Sequence, residues 1–517
     1  MPCGARTFLT HRLSPCARGR SACSTLLFYP LSRGKSIIIL VNGGEKTYNH
    51  IDCEAIDITL NDYVNTLKGK RIAVIGIGVS NTPLIRLLLS CGCDVTACDK
   101  RSLAEMGMEG LELINMGAKL RLGESYLDGL DHDVIFRTPG LMPFDEHLEA
   151  ARAHGSVITS EMEAFFELCP CRTIAITGSD GKTTTSTIIS ELLKLAGYTV
   201  HLGGNIGHPL LCEIPEIGKD DFAVLELSSF QLHSMKCKPN VAVITNISPN
   251  HLDKHKDYQD YIDAKRAIFI AQDASDRLVL NLDDGHTPYY AQYAKAPISY
   301  FSDKGGVENG TVLDGGELCL VHGGVRATIM HADEIKLPGE HNVLNYLAAF
   351  AAVDGLVSLE DCRDVAMSFA GVEHRLEQVR VLHGVTYIND SIGTSPTRTS
   401  AGLHAMRVKP IVIAGGYDKH IPFDGLGDDL CRLAKEVVLT GATAEKIETA
   451  IRSSEYFDGS GLKLCRVDDF EAAVRTAAAH AEEGDIVLLS PACAAFDRFK
   501  NFTERGKFFK KIVMELE

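Results

Sequence analysis

Thr173-Ile-Ala-Ile-Thr-Gly-Ser-Asp-Gly-Lys-Thr-Thr-Thr185 is the stretch that decides how this chain is read. Its first half is an apolar run of the kind that forms a buried parallel strand, and its second is a glycine loop leading into a helical pattern. A loop of this type turns backbone N–H groups and the positive end of a helix dipole toward phosphate. Lys182 adds a point charge for the terminal phosphates, and Thr183 a hydroxyl for Mg²⁺. The strict pattern G-x-x-x-x-G-K asks for a glycine where this chain has Ile176. The loop is shortened to Gly178-Ser179-Asp180-Gly181-Lys182, which predicts a nucleoside-triphosphate site of one particular ATPase branch.

Around this loop, 517 residues with 45% apolar content suit about three domains. A net charge of −16 argues against a general nucleic-acid binder. Sixteen cysteines are scattered without paired metal spacing, which reads as reduced thiols in a cytoplasmic enzyme. No apolar run approaches the roughly 18 residues that would span a membrane. Before Glu45 the chain holds five arginines and one lysine but no acid. Such a leader suits an organelle transit peptide or an over-extended start, and the second reading is preferred. Residues 1–57 are therefore set aside as a leader expected to be poorly ordered.

Three α/β units follow. Lys70-Arg-Ile-Ala-Val-Ile-Gly76-Ile-Gly78-Val79-Ser80-Asn81 reads as strand, glycine turn and helix start, and a second strand ends at Asp99. That spacing is the one at which a dinucleotide fold brings an acid to a ribose hydroxyl. Asn81 replaces the third glycine, however, so a nucleotide-diphosphate ligand is the favoured reading of this turn, a plain tight turn comes next, and an NAD site is the least favoured. Arg137-Thr-Pro-Gly140 is a strand-end turn at the open edge of the same sheet. In the second unit, Phe222-Ala-Val-Leu-Glu226-Leu-Ser-Ser and Val241-Ala-Val-Ile-Thr-Asn-Ile are short β-rich runs ending in polar residues, and residues 300–335 predict irregular or small antiparallel structure. The third unit, after Gly371, has strands at Val385, Pro410, Glu436 and Asp485 with helices between, another open parallel sheet. The expected division is 58–163, 164–371 and 372–517.

ATP-driven ligation of a carboxylate needs cationic groups to offset charge building on the phosphoryl group. Glu226, at the end of its strand, is a candidate metal ligand or base. His251 follows the next strand and would face the same cleft. Lys265, in Tyr261-Ile-Asp-Ala-Lys-Arg, reads on pattern alone as a solvated helix charge.

Together, Thr177-Gly-Ser-Asp-Gly-Lys-Thr, Leu225-Glu-Leu-Ser-Ser-Phe-Gln-Leu, Asn250-His-Leu-Asp, Ala264-Lys, His341-Asn-Val-Leu-Asn, His374-Arg, Asn389-Asp-Ser and Leu489-Ser-Pro-Ala-Cys-Ala resemble the Mur ligases. The resemblance runs in order from about residue 60 to the C-terminus. It implies three domains on mainly parallel sheets: a Rossmann-like UDP-binding domain, a P-loop ATPase domain and a Rossmann-like amino-acid-binding domain. It also implies an activity, the ATP-dependent joining of D-glutamate to UDP-N-acetylmuramoyl-L-alanine through an acyl phosphate, by a monomer. ATP would lie on Gly178, Ser179, Asp180, Gly181, Lys182, Thr183 and Thr184, with Asn342, Asn345, Arg375 and Asp390 around the nucleotide. Gly78, Val79, Ser80, Asp99, Lys100, Arg101, Thr138 and Gly140 would take the UDP moiety, with Asn205 and Ser228 nearer the reacting end. Lys182, Glu226, His251 and Lys265 would carry catalysis. Thr183 and Glu226 would hold one Mg²⁺, while His251 and Lys265, the latter as a carbamate formed with CO₂, would hold a second. Thr394, Lys419, Ala495, Phe496 and Phe502 would receive D-glutamate. Two residues depart from the family pattern: Ala495 stands where a serine is frequent, and Ile392 where a lysine is frequent.

Overall fold

The computed structural model describes residues 59–517 apart from 207, 250–253, 338, 407 and 419–421, together with three backbone strands further upstream. Those strands, Thr25–Leu31, Lys35–Asn42 and Glu45–Ile51, pair antiparallel in sequence order. The rest of the expected leader lies outside the described residues.

Two compact units emerge. The first holds residues 1–172 together with 207–220, and the second holds 173–206 and 221–517. In the first, a parallel sheet runs Lys119–Leu122, Asp94–Asp99, Arg71–Ile75, Val134–Phe136, Val157–Thr159 in spatial order. Its central strands are buried on both faces, as covered parallel strands must be. The Lys119–Leu122 strand has no counterpart in the sequence reading. Its Lys-Leu-Arg-Leu alternation is too short and too charged to separate from a loop. Helices here are capped by side chains: Thr59 and Ser102 form capping boxes, and Ser160 accepts from the Glu163 N–H.

The second unit carries two sheets. One has nine strands, in the order Val200–Gly204, Phe222–Glu226, Arg172–Thr177, Val241–Ile244, Arg277–Asn281, Ile298–Ser302, Gly310–Asp314, Glu317–His322, Val325–His331. It is mainly parallel, and the last three strands pair antiparallel, as expected for residues 300–335. Against it the helix Lys182–Leu195 packs with the helix Glu340–Val353. Ile188, Ile189, Leu192 and Leu193 of the first meet Tyr346, Leu347 and Phe350 of the second in one fully buried cluster. Four alanines of the second helix, Ala348, Ala349, Ala351 and Ala352, sit in the same cluster and let the elements approach closely.

The other sheet has six strands: Glu377–Leu382, Val385–Asn389, Ile486–Leu489, Ile411–Ala414, Glu436–Leu439, Lys463–Arg466. All but the first pair are parallel neighbours. Apolar clusters cover both faces, one around Leu430 and Ile447, the other around Val474 and Phe509. Among the described residues no helix is long and apolar enough to cross a membrane, and the described cysteines are all free thiols.

Candidate active site

The phosphate loop is held by backbone geometry that only glycine adopts without strain. Gly178 has φ +147°, and a Cβ there would lie 1.9 Å from Thr245 Oγ1. Gly181 precedes the helix in the left-handed region at φ +78°, where a Cβ would lie 2.2 Å from Asn345 Oδ1. Between them the loop is fastened to the next strand end. The Ser179 N–H donates to Asn246 O at 2.8 Å, and the Asp180 N–H to Asn246 Oδ1 at 3.0 Å. Asp180 O in turn accepts from Thr245 Oγ1 and Asn246 Nδ2. The first N–H groups of the helix that follows have no partner within it, which is what makes its N-terminus suited to phosphate.

Glu226 stands at the carboxyl end of the neighbouring strand, 3% exposed. Thr183 Oγ1 donates to its Oε2 at 2.6 Å, and Asn205 Nδ2 to its Oε1 at 2.8 Å. The structure thus joins three of the sequence-predicted residues through one carboxylate. Lys182 folds back over the loop, its Nζ donating to Gly178 O at 3.0 Å and Ser179 O at 2.8 Å. Burial lowers its pKa, Arg375 and Arg398 add to the effect, and Glu226 and Asp180 oppose it.

Lys265 overturns its pattern-based reading. The helix Tyr258–Arg266 does not present it to solvent: it is 1% exposed, with Nζ 2.7 Å from Gly178 O and 4.6 Å from the centre of the Tyr261 ring. Burial, reinforced by the charge of Lys182, drives its pKa well below that of a free lysine. A lysine held this way tends toward the neutral amine. Tyr261, four residues earlier on the same helix face, reaches the loop too, its hydroxyl 2.8 Å from Ser179 Oγ. No motif marks Tyr261 in the sequence, although its i, i+4 spacing to Lys265 is an available signal.

On the nucleotide side, Asn345 Oδ1 accepts from Thr185 Oγ1 and Asn345 Nδ2 donates to Asn342 Oδ1, which ties both asparagines to the loop helix. Asp390 is buried, and its carboxyl pKa is raised to about 6 by desolvation, against a 2.7 Å bond from Ser490 Oγ and the charges of Arg375 and Arg398. Burial lowers the pKa of Arg375, with Arg398 adding to it and Glu226, Asp390 and Asp180 opposing. Arg398 is not distinguished by sequence, because it sits on an exposed helical face with no motif around it.

Residues 176–353 match the Mur ligase middle domain, and residues 374–493 the Mur ligase glutamate ligase domain. Over 461 residues the chain is 50% identical to the UDP-N-acetylmuramoylalanine–D-glutamate ligase of Acetivibrio thermocellus, spanning 89% of this chain and 99% of that protein. The chain belongs to the Mur ligase family. The ligase of the same name from Clostridium novyi is 47% identical over 459 residues, with 89% and 99% covered. The crystal structure of a UDP-N-acetylmuramate-alanine ligase from Thermotoga maritima shares the fold at a TM-score of 0.51 and 20% identity, over 86% of this chain and 99% of that one.

As a Mur ligase the chain uses ATP. In its first unit, of the residues expected to bind UDP, Gly78, Val79 and Ser80 lie in the turn after the Arg71–Ile75 strand, Asp99, Lys100 and Arg101 at the end of Asp94–Asp99, and Thr138 and Gly140 after Val134–Phe136. Gly76, at φ +86°, lies against Thr138, and a Cβ on Gly76 would sit 2.9 Å from Thr138 Cβ. Asn81, in place of a third glycine, donates from Nδ2 to Ile75 O at 2.8 Å and so closes the turn with its side chain. Asp99 is 7% exposed and already engaged: Oδ2 accepts the Ile77 N–H at 2.8 Å, and Oδ1 accepts the Arg101 N–H and Nε. Burial alone would raise its pKa, yet the Arg101 and Ile77 bonds bring it below the usual carboxylate value. Gly78, Val79, Lys100 and Gly140 are exposed, while Ser80, Arg101 and Thr138 are half-buried at the same edge.

Of the residues expected on the glutamate side, Ala495 is 2% exposed and Phe496 is 63% exposed. Phe496 meets Tyr417 edge-on, with ring centres 5.8 Å apart. Phe502 O accepts from Ser391 Oγ, and the Phe502 ring meets His374 edge-on. Thr394 lies half-buried in the turn after Asp390. Arg505, unmarked by the sequence reading, is 2% exposed and binds Ser391 O, Cys493 O and Ala494 O, joining the segments around these positions. Ser228 caps the short helix Ser229–Leu232 through a capping box with Gln231. His251 and Lys419 lie outside the described residues.

Proposed function

We propose that this chain is the ligase that adds D-glutamate to UDP-N-acetylmuramoyl-L-alanine in peptidoglycan precursor synthesis; its relatives are named UDP-N-acetylmuramoylalanine–D-glutamate ligases. The observation that carries the reading is the Glu226 carboxylate, shared between Thr183 on the phosphate-loop helix and Asn205 on the adjacent strand end. Beside it, in this reading, the γ-phosphate of ATP and an acceptor carboxylate would meet.

In this reading the alanyl carboxylate attacks the γ-phosphorus of ATP, giving an acyl phosphate and ADP. The amine of D-glutamate then attacks the acyl carbon, an amide forms, and phosphate leaves with the C–O bond pair. Lys182 and the helix N-terminus offset charge on the transferred phosphoryl group. The hydroxyl of Thr183 and the carboxylate of Glu226, 2.6 Å apart, form a hard-oxygen donor pair of the kind that suits Mg²⁺. Bound there, the ion would neutralise phosphate charge; Lys265 and His251 are assigned to a second such ion. The buried, neutral-leaning amine of Lys265 fits carbamate formation, in which R-NH₂ and CO₂ give R-NHCOO⁻ and a proton. Residues 58–163 would take UDP, 164–371 ATP, and 372–517 D-glutamate through Thr394, Lys419, Phe502 and the backbone at Ala495 and Phe496.

Phosphate release with ATP, UDP-N-acetylmuramoyl-L-alanine and D-glutamate tests acid, amine and nucleotide together. Release should require all three and should fail with L-glutamate. Absence of release with the full set, from folded chain, rejects the proposal.

A further inference from the structure

Beside the phosphate loop lies a hydrogen-bonded chain of side chains that none of the assigned roles uses. Ser229 Oγ is 3.0 Å from His255 Nε2, and His255 Nδ1 is 2.9 Å from Asp260 Oδ2. The other oxygen of Asp260 lies 2.9 Å from His233 Nε2. Burial would raise the pKa of Asp260, but the bonds from His255 and His233 prevail and lower it, so the group is a carboxylate. An ionised carboxylate only accepts. His255 must then carry its proton on Nδ1, which leaves Nε2 to accept from the Ser229 hydroxyl.

A Ser–His–Asp order of this kind is also that of a nucleophilic triad. Here the hydroxyl is closed off: Ser229 is 3% exposed and His255 4% exposed, the latter stacked on Phe230 with ring centres 5.4 Å apart. No substrate carbonyl reaches an oxygen so enclosed. The two histidines and Asp260 are also near enough to ligate a cation. Their contacts are nevertheless hydrogen-bond distances, and both nitrogens of His255 are engaged without one.

What the chain of bonds connects is more telling. Asp260 belongs to the helix Tyr258–Arg266, whose Tyr261 and Lys265 grip the phosphate loop at Ser179 and Gly178. Ser229 follows Glu226 and Ser228 at the end of the Phe222–Glu226 strand. One helix is thereby fastened on one side to the loop and on another to the segment that carries Glu226. His255 and Asp260 are five positions apart, but Ser229 is 26 from His255 and Ser179 is 82 from Tyr261, so no local geometry sets how the helix meets the other two segments.

We infer that Ser229, His255 and Asp260 form a positioning relay that fixes Lys265 and Glu226 relative to one another, and so sets the divalent-cation affinity of the site. The inference rests on the ligase reading for the role of those two residues. In this role the three relay residues act only through the two segments they join, the helix that carries Lys265 and the strand end that carries Glu226. Asp260→Asn keeps the volume but removes the charge and turns one of the two acceptor oxygens into an N–H donor, so the relay loses the carboxylate that holds His255 and His233 together. Ser229→Ala removes only the terminal hydroxyl.

The full chain and its Asp260→Asn, Ser229→Ala and doubly substituted forms would be compared in two ways. Mn²⁺ titration followed by electron paramagnetic resonance, with a non-hydrolysable ATP analogue present, reads cation affinity directly. Phosphate release at graded Mg²⁺ reads the half-activating concentration. Loss of an outer partner of a metal-holding group commonly weakens binding about 10–100-fold. Asp260→Asn should weaken Mn²⁺ binding and raise half-activating Mg²⁺ about tenfold, while the KM for D-glutamate stays unchanged. Ser229→Ala should shift both in the same direction by less, and the double variant should be no worse than Asp260→Asn, since both act through His255. Unchanged Mn²⁺ affinity in both single variants overturns the inference, as do additive effects in the double variant. If Asp260→Asn fails to fold, Ser229→Ala decides by the same Mn²⁺ criterion. A wild-type chain that binds Mn²⁺ but releases no phosphate refutes the ligase reading instead, and the titration still judges the relay.

Discussion

Gly181→Ala is the sharpest test of how the phosphate loop is built. At φ +78° an alanine occupies a left-handed conformation that costs an L-residue about 1–2 kcal/mol. Its Cβ would also lie 2.2 Å from Asn345 Oδ1, and Asn345 is only 6% exposed, so the carboxamide cannot swing into solvent. Moving it breaks the bonds to Thr185 and Asn342, at about 1 kcal/mol each. The sum is about 3–4 kcal/mol, which for a domain of this size lowers the melting temperature by on the order of 10 °C. Thermal unfolding is the assay, with the ATP KM measured alongside. Gly285→Ala is the control, because a Cβ there meets nothing within 4 Å. In an Asn345→Ala background the clash is gone and only the backbone cost of about 1–2 kcal/mol should remain. Equal destabilisation by Gly181→Ala in both backgrounds would refute the assigned clash, and no destabilisation in either would refute the loop geometry.

Three further outcomes are expected. The buried carboxyl of Glu161, which accepts the Leu211 N–H, has its pKa raised by desolvation from 4.5 to about 7. The folded chain therefore holds that proton more tightly than the unfolded chain. The associated stability is full below pH about 4.5 and is lost as pH rises through about 7, amounting to about 3 kcal/mol at 1.36 kcal/mol per unit. Glu161→Gln, which keeps the acceptor, should flatten the fall in melting temperature between pH 5 and 8 relative to wild type; an unchanged slope would contradict it. Lys182→Ala should reduce phosphate release at least 10²–10³-fold, roughly the loss from removing one pre-organised charge or donor. Its folding should be unimpaired by circular dichroism, and retained turnover would remove Lys182 from the chemistry. Asn205→Ala should cost about ten- to a hundredfold in kcat by leaving Glu226 oriented by Thr183 alone, with a matching loss on Thr183→Val, the scale of a charged hydrogen bond. A wild-type kcat for Asn205→Ala would show that the Glu226 orientation is immaterial.

Much of the architecture was legible because parallel strands advertise themselves. Ile72–Ile75, Ile174–Ile176 and Val487–Leu489 are continuous apolar runs, buried on both faces. The Lys119–Leu122 strand escaped because its alternate residues are charged and its faces only half-covered. The assignment of residues 207–220 to the first unit was not legible either. That segment is tied by long-range contacts: Leu210, Leu211, Ile214 and Ile217 are buried, and the Glu161 carboxylate accepts the N–H of Leu211 fifty positions away in sequence. Asp99 shows the same limit from the other side: its spacing suggests a ribose contact, and only the fold shows that it also accepts from the Ile77 N–H and from Arg101.

By itself the sequence determined what is set over a few residues. The glycines and Lys182 of the loop, the helix that follows, and Asn81 closing its own turn all depend on backbone torsions and side-chain reach of short range. The tertiary structure decided which distant groups share a site: Thr183 with Glu226, Gly181 with Asn345, and Lys182 with Arg375 and Arg398. It also decided the character of Lys265, which its helix pattern assigns to water and the fold buries against the Gly178 carbonyl. The reason is physical. Burial and charge proximity depend on packing between segments that leave no periodic trace in either one, so a residue's protonation and partners exist only once the sheets have closed around it.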